Sequence, residues 1–432
     1  MAGRSTSYTA RGLSRPRPGA LSGRTRRSRS LLARAFARNS VLRHMDWLLV
    51  LVVAALSALG VLLVWSATQP SLIAAGQDPR TYLKKQLLWV VIGVVLMFVV
   101  SLADTRRLKA WTPFFYGATL LALLAVLTPL GSDVNGAKAW ISLPGGFQVE
   151  PSEFAKVALI VMTAMIFSGV RGGRPRSSGS AGAPGLRAVL LALVAAVPLI
   201  GLVVTEPALG VALVLIVVTA TMILLSGVRL RLVAGLAGIV AAVIAAAGGL
   251  HLLKSYQLTR FTSFLHPSAD LSGAGYNAAQ AKIAVGSGGM FGQGLFHGQL
   301  VAGNFVPSQQ TDFIFTVAGE ELGFVGTSVI VFLLGVVIIR ALRIATRADD
   351  LFGLLAASGI AMWFAFQSFV NIGMTIGIMP ITGIPLPFVS YGGSAIFADM
   401  IAIGLLQSVH RRHRVFDQSG LRSIGSSSTR PT

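Results

Sequence analysis

The sequence predicts an all-α, polytopic membrane protein of about ten transmembrane helices, with both termini cytoplasmic. Three observations predict it. The 432 residues are 54% hydrophobic and only 12% charged, against about a quarter charged in soluble domains. Apolar runs near twenty residues, enough for a helix to cross the hydrocarbon core, recur along the chain. The basic residues behind the net charge of +21 gather in short segments between those runs, a pattern of membrane orientation and not of nucleic-acid binding.

In chain order the runs cover residues 47 to 68, 83 to 103, 111 to 130, 151 to 170, 187 to 205, 207 to 226, 231 to 253, 313 to 339, 351 to 379 and 393 to 409. Residues 1 to 46 form an Arg-rich tail with eleven arginines between Arg4 and Arg43. The first run follows directly and is long enough to remain as a helix, so no cleavable signal is read. Residues 47 to 409 make the membrane domain, and 410 to 432 a second cytoplasmic tail. Both tails and the loop at 171 to 185 are rich in Ser, Gly, Pro and Arg, lack apolar periodicity, and are expected to be disordered.

With the first tail inside, 28 of the 36 Lys and Arg residues fall on the cytoplasmic side, as the positive-inside rule requires. The polar loops at 131 to 153, 254 to 312 and 380 to 392 then face outward. The second is a large extracytoplasmic loop between helices 7 and 8, too long and apolar for a simple linker. The chain has no cysteine, which excludes disulfides, thiolate metal sites and cysteine nucleophiles.

Four places stand out as chemistry-bearing, because charge in or beside a membrane helix is costly. Around residues 286 to 326 a glycine-rich polar loop runs into an apolar helix, and Thr311 and Asp312 sit at the junction. Those two residue types also suit a helix N-cap, and a capping carboxylate beside a cavity is a positioned base as well. In the second, Glu153 and Lys156 stand three apart on one helix face, with Pro151 suited to the first turn and Ser152 near the cap. An intrahelical ion pair is the plain reading.

In the third, the loop from 254 to 310, Arg260 and Lys282 flank GSGGMFGQG. Its glycines read first as close-packing and turn positions, since the P-loop ending is missing. The two cations could neutralise a pyrophosphate. In the fourth, residues 371 to 395, Pro380, Pro385, Pro387 and the glycines interrupt an apolar stretch. Irregular backbone at membrane depth is tolerated where it lines a wet cavity or is buried in protein. No histidine or carboxylate group has metal-ligand spacing, and no serine elbow is present.

At these residues the chain resembles the SEDS family of bacterial cell-wall polymerases. The resemblance runs through the whole membrane region. Residues 371 to 395, with Gly377, Pro380, Gly383, Ser390, Gly392, Gly393 and Ser394, fit one family signature. TDFIFTVAGEELG at 311 to 323, which contains Glu320 and Glu321, and PSEFAK at 151 to 156 are similar to two others. Within the family the chain resembles the RodA elongation branch more than the FtsW division branch.

The resemblance implies a ten-helix peptidoglycan glycosyltransferase in the bacterial cytoplasmic membrane. It would polymerise lipid II at the outer face during elongation and cell-shape control, beside a class B penicillin-binding protein. Asp312 matches the family's catalytic aspartate, Glu153 and Lys156 an activity-supporting pair, and Arg260 a recurring basic position. No cofactor or metal site is assigned, and a divalent cation on the pyrophosphate stays open.

Two departures from the family pattern stand out. Glu150 replaces a usual Gln, adding an acid, and Ala208 replaces a usual Asp, a role Glu206 could fill. Inverting transfer from a lipid pyrophosphate calls for a base on the attacking hydroxyl and cations at the leaving group. Asp312 is read as that base. Lys156, with Arg260 or Lys282, is read as the cationic help, and Glu153 as holding Lys156. The alternatives are a lipid II flippase, since broken helices and buried charges also describe carriers, a scaffold that recruits the transpeptidase, and a division-type polymerase.

Overall fold

The computed structural model describes residues 44–134, 137–143, 147–170, 184–206, 208–229, 231–235, 238, 264 and 273–426. Within them the chain is helical apart from one small sheet. The apolar runs become α1 (Trp47–Ala74), α2 (Thr81–Leu102), α3 (Thr105–Val126), α4 (Pro151–Val170), α5 (Leu186–Thr205) and α6 (Leu209–Leu225). After α7 (Ala274–Ser287) and the single turn α8 (Gln299–Ala302) come α9 (Ile314–Thr346), α10 (Leu351–Ile376) and α11 (Gly393–Ser426).

Eight of these helices are long and apolar enough to cross a membrane. A ninth expected span, α6, has 17 residues and reaches about 25 Å, a little short of the hydrocarbon thickness. The tenth expected span, 231 to 253, falls mostly outside the described residues, as do the N-terminal tail through Arg43 and the loop from 171 to 183.

Two expectations change. The loop at 131 to 153 contains an antiparallel three-stranded sheet, β1 (Gly131–Val134), β2 (Ala137–Leu143) and β3 (Phe147–Val149), in the order β1-β2-β3. It sits at the foot of α4. Residues 410 to 426, expected to be irregular, continue α11 as helix, because nothing in that segment breaks it before Ser426. The outer loop before Asp312, expected to be more than a simple linker, holds α7 and α8.

Burial sorts the helices. In α4, α10 and α11 about three quarters of the hydropathic window is inside (72%, 72% and 78%), against 28% for α2 and 22% for α3. The outer helices expose Val91, Val95, Val99, Trp111, Phe114 and Leu121, an apolar surface suited to acyl chains. Small residues let α10 lie at the centre. Gly359 is so close to α4 and α6 that a Cβ would meet the Ile160 side chain at 3.1 Å and Met222 Sδ at 3.0 Å.

Polar contacts fix which helix ends lie together. At one end Arg340 of α9 and Gln407 of α11 bind Asp46 at the start of α1, and Asp350 at the start of α10 binds Lys109 of α3 and Arg412 of α11. At the other end the starts of α2, α4, α9 and α11 meet the residues that follow α10. The candidate residues gather at that second end.

Candidate active site

Between Gly377 and Gly392 no helix forms, as the prolines dictate. Gly377, with φ +79, ends α10 in the left-handed conformation that glycine tolerates best. The segment is held by two polar side chains one turn apart on α10. Gln367 donates from Nε2 to the Pro385 carbonyl at 2.7 Å, and Asn371 donates from Nδ2 to the Ile384 carbonyl at 2.7 Å. The same Asn371 nitrogen also donates to the Asp312 carbonyl at 2.7 Å.

Ser390 adds a second tie. Its hydroxyl donates to the Thr311 carbonyl and accepts from the Leu386 N–H, both at 2.7 Å. Tyr391 N–H donates to the Gln310 carbonyl at 2.9 Å. Residues 310 to 312 are thus clamped through their own backbone. Helix α9 begins at Ile314, two residues beyond Asp312, with Phe313 at the N-cap. Asp312, half-buried, sits in the turn before the helix, and Gly383 faces it: a Cβ there would stand 3.4 Å from Asp312 Oδ2.

Glu153 and Lys156 form the expected ion pair at 2.8 Å, but deep inside, with side-chain exposures of 2% and 0%. Lys156 Nζ also donates to Gln367 Oε1 at 3.0 Å and lies 4.7 Å from the centre of the Trp363 ring. It is enclosed on every side. Gln367 thus joins Lys156 to Pro385, and Asn371 joins Asp312 to Ile384, so α10 is the common frame.

Lys282 is placed differently. It is exposed at the rim and crosses the C-terminus of α10, where a Cβ on Gly377 would overlap Lys282 Cε at 1.9 Å. A cation there complements the helix dipole. Its neighbour Ala281 packs with Val306, Phe313 and Ile381, which puts Lys282 on the rim of the Asp312 site. Arg260 lies outside the described residues.

In the 286 to 298 loop Gly288 and Gly292 serve close packing, while Gly289 and Gly294 hold positive φ. Gly323, at φ +66, breaks α9, which frees backbone groups that must bond elsewhere. The loop supplies the partners: Gln293 and Gly294 N–H donate to the Glu320 and Glu321 carbonyls, and Phe324 and Val325 N–H donate to Gly289 and Met290, all at 2.9 to 3.0 Å. Side chains on Gly288 or Gly292 would collide with the Gly319 and Glu321 carbonyls, at 1.9 and 2.1 Å. The Glu320 carboxylate caps α8 through Leu300 and Val301 N–H at 2.7 and 3.0 Å. Glu321 accepts from the Ser66 hydroxyl and from Phe296 N–H. Both acids hold the loop in shape.

Of the remaining signature residues, Ser394 accepts from Glu150 N–H at 2.9 Å. Gly393 lies against the Trp89 ring, 3.1 Å from where its Cβ would be. Pro380 follows the end of α10. Nothing in the structure explains a glycine at 392.

Two acids outside the proposed set complete the site. Burial pushes the Glu150 carboxyl up to about 7, the Glu153 and Asp312 charges adding to it and the Ser152 hydroxyl bond opposing. Burial, and then the charge of Glu150, pushes Glu206 up to about 8. Both Glu206 oxygens are buried without a hydrogen-bond partner. Glu150, one of the two departures from the family pattern, is therefore a neighbour of Glu206, which stands two residues before the other, Ala208. Sequence reading passed over Asn371, Gln367 and Asp399, which accepts from Phe388 N–H at 3.0 Å. The signal was present: each is a polar side chain inside an apolar helix. Among the described residues no three His, Asp or Glu side chains converge as metal ligands.

The family model for cell cycle proteins of the FtsW, RodA and SpoVE type matches residues 46–415. The chain belongs to this family. It is 36% identical over 369 residues to a probable peptidoglycan glycosyltransferase FtsW of Trichlorobacter lovleyi, covering 85% of this chain and 93% of the relative. It is 35% identical to the peptidoglycan glycosyltransferase MrdB of Escherichia coli K12, covering 87% and 96%. A chain from a structure of a peptidoglycan synthase complex that coordinates polymerization and crosslinking superposes with a TM-score of 0.68 at 31% identity, over 85% of this chain and 98% of that one. The crystal structure of Thermus thermophilus rod shape determining protein RodA gives 0.60 at 30% identity, over 85% and 97%. The SEDS family expected from the motifs is the family found, and this member is a multi-pass protein of the bacterial cytoplasmic membrane.

Proposed function

We propose that the chain is a peptidoglycan glycosyltransferase that polymerises lipid II at the outer face of the cytoplasmic membrane, in the elongation branch, beside a class B penicillin-binding protein. The observation that carries the reading is the backbone clamp on residues 310 to 312. Asn371, Ser390 and Tyr391 fix a half-buried carboxylate between a broken helix and a rim cation.

The orientation follows from charge. Among the described residues, Arg106, Arg107, Lys109, Arg340, Arg343, Arg347, Arg411 and Arg412 belong to the end that carries Asp46 and Asp350, which supports an outward-facing Asp312. There Asp312 takes the proton from the attacking 4-hydroxyl as the sugar centre inverts, a role worth about 10²–10⁴ in rate. The departing pyrophosphate needs cations. Lys282, exposed at the rim, suits that task, and Arg260 is its proposed companion. Lys156 is too enclosed to meet substrate and acts with Glu153 by fixing Gln367 and, through it, the 380 to 392 segment.

Asp312→Asn in a purified, reconstituted lipid II polymerisation assay is expected to fold and insert normally and lose at least about 100-fold in rate. Retention of most activity would remove Asp312 from the mechanism. Transbilayer movement of labelled lipid II without polymer would instead establish the flippase.

A further inference from the structure

The turn from Leu386 to Tyr391 supplies two of the three bonds that clamp residues 310 to 312. Most of its own N–H groups are paired within it or to that clamp. Leu386 N–H donates to Ser390 Oγ at 2.7 Å, Val389 and Ser390 N–H donate to the Leu386 carbonyl at 3.2 and 3.1 Å, and Tyr391 N–H donates to Gln310. Pro387 has no N–H. The remaining group, Phe388 N–H, leaves the turn and donates to Asp399 Oδ2 of α11 at 3.0 Å. We propose that Asp399 is a positioning residue for the transfer: by accepting from Phe388 it fixes the turn whose last members, Ser390 and Tyr391, hold Asp312. The inference rests on the polymerase reading above.

The residue that Asp399 holds is a strained one. Phe388 has φ +65, a left-handed backbone that a bulky side chain rarely adopts and that persists only where the surroundings impose it. Its ring is 1% exposed and meets the Phe364 ring edge-on at 5.0 Å, so the glycine that would relax the backbone is not an option. On another side, Gly60 of α1 lies so close that a Cβ there would stand 2.5 Å from the Val389 carbonyl oxygen.

Asp399 itself is placed at a cost to stability. It is 2% exposed inside a membrane-spanning helix, where an acid is expensive. Its Oδ1 is buried with no partner, and Lys156 is bonded to Glu153 and Gln367 instead. A buried acid with a single hydrogen bond among the described residues is a poor stabiliser. That one bond goes to the strained residue.

A purely electrostatic role is the rival, since Glu153 and Lys156 both act on the Asp399 charge. Asp399→Asn separates the two, because it removes the charge and keeps a carbonyl oxygen as acceptor. Asp399→Leu removes both. Leu is favoured over Asp in a membrane helix, so insertion and thermal midpoint are expected to be no lower than in wild type.

The test uses the full chain in nanodiscs, with lipid II polymerisation kinetics and hydrogen–deuterium exchange of the 386 to 391 turn as readouts. Asp399→Leu is expected to lower kcat about tenfold with the lipid II KM within about twofold, the worth of one hydrogen bond to a charged group. Exchange in the turn should rise about tenfold while α4, α9 and α10 stay protected. Asp399→Asn is expected to keep both readouts within about threefold of wild type. Asp399→Ala, which is smaller, is read in the same way should Leu not fit.

Wild-type kcat in Asp399→Leu overturns the proposal, as does an Asp399→Asn that falls as far as Asp399→Leu, which would make charge the cause. Exchange that rises across all the helices assigns Asp399 to general stability and overturns it as well. A wild-type chain that makes no polymer sinks the polymerase reading, and exchange then still decides whether Asp399 holds the turn. A polymerising wild type with a full-rate Asp399→Leu sinks the positioning role alone.

Discussion

The two ends of the helix bundle hold their carboxylates on opposite terms. At the tail end, Asp46 is bonded by Arg340, caps Leu49 N–H, and has its backbone N–H and carbonyl held by Gln407. Asp350 there is partly buried, which alone would raise its pKa, yet Gly353 N–H, Lys109 and Arg412 outweigh that and hold it below the usual range. At the site end, Glu150 and Glu206 are pushed up to about 7 and about 8, burial being the first cause. Lys156 is the buried cation beside them, and Glu153 and Gln367 occupy it. The tail end is what stability alone would build. The site end departs from it, with unpartnered buried oxygens and left-handed backbone, and such departures persist where function requires them.

Removing the enclosed cation should show the contrast at its largest. Lys156→Met leaves the Glu153 carboxylate buried with no counter-charge, a loss of about 3–5 kcal/mol. The double variant Glu153→Gln/Lys156→Met removes the stranded charge and is expected to recover most of that loss in thermal denaturation. Activity should return only in part, because Gln367 Oε1 then keeps one of its two donors, the Trp363 indole N–H at 2.6 Å, and its hold on the Pro385 carbonyl is less firmly fixed. A double variant as active as wild type would reduce the pair to a packing element.

How far the sequence revealed this site depends on the residue. The spans were legible because hydropathy over about twenty residues is a long signal. The small sheet was not, since strands of four, seven and three residues carry too little pattern. Asp312 was legible as a lone acid at a loop-to-helix junction, although the N-cap position itself falls to Phe313. Glu153 and Lys156 were legible as a pair, but an i, i+3 spacing reads the same on a wet surface as in a core. Only the packing of Trp363 and Gln367 shows that Lys156 is enclosed. The roles of Glu320 and Glu321 depend on the break at Gly323, which brings in loop residues 19 to 25 positions away and leaves no local trace.

The same operation at the tail end should be milder and fully reversible. Arg340→Ala removes the charged hydrogen bonds to Asp46 Oδ2, worth about 2 kcal/mol. Asp46 keeps its contacts with Leu49 and Gln407. Specific activity of the folded fraction is expected to match wild type, and adding Asp46→Asn should restore stability. A change in lipid II KM in Arg340→Ala would mean that the ends are coupled through α9.

The smallest effect tests the sign of the contrast through pH. Glu150 titrates near 7 in the folded chain and near 4.3 when unfolded. Between those values the folded state binds more protons, so its stability falls as pH rises through that window and the loss is complete above about 7. Glu150→Gln is neutral throughout and carries no such slope. The thermal midpoints of the two proteins should coincide near pH 5, and at pH 8 the variant should be higher by a few degrees, about 1 kcal/mol once the partial exposure of Glu150 is allowed for. Asp350→Asn gives the opposite pattern. The lowered pKa of Asp350 means that its contribution is present across pH 5 to 8 and disappears only in acid, so that variant should be destabilised equally at both pH values. Parallel midpoints for wild type and Glu150→Gln at pH 8 would mean that water reaches Glu150 freely, and the charge asymmetry between the two ends would then rest on Glu206 alone.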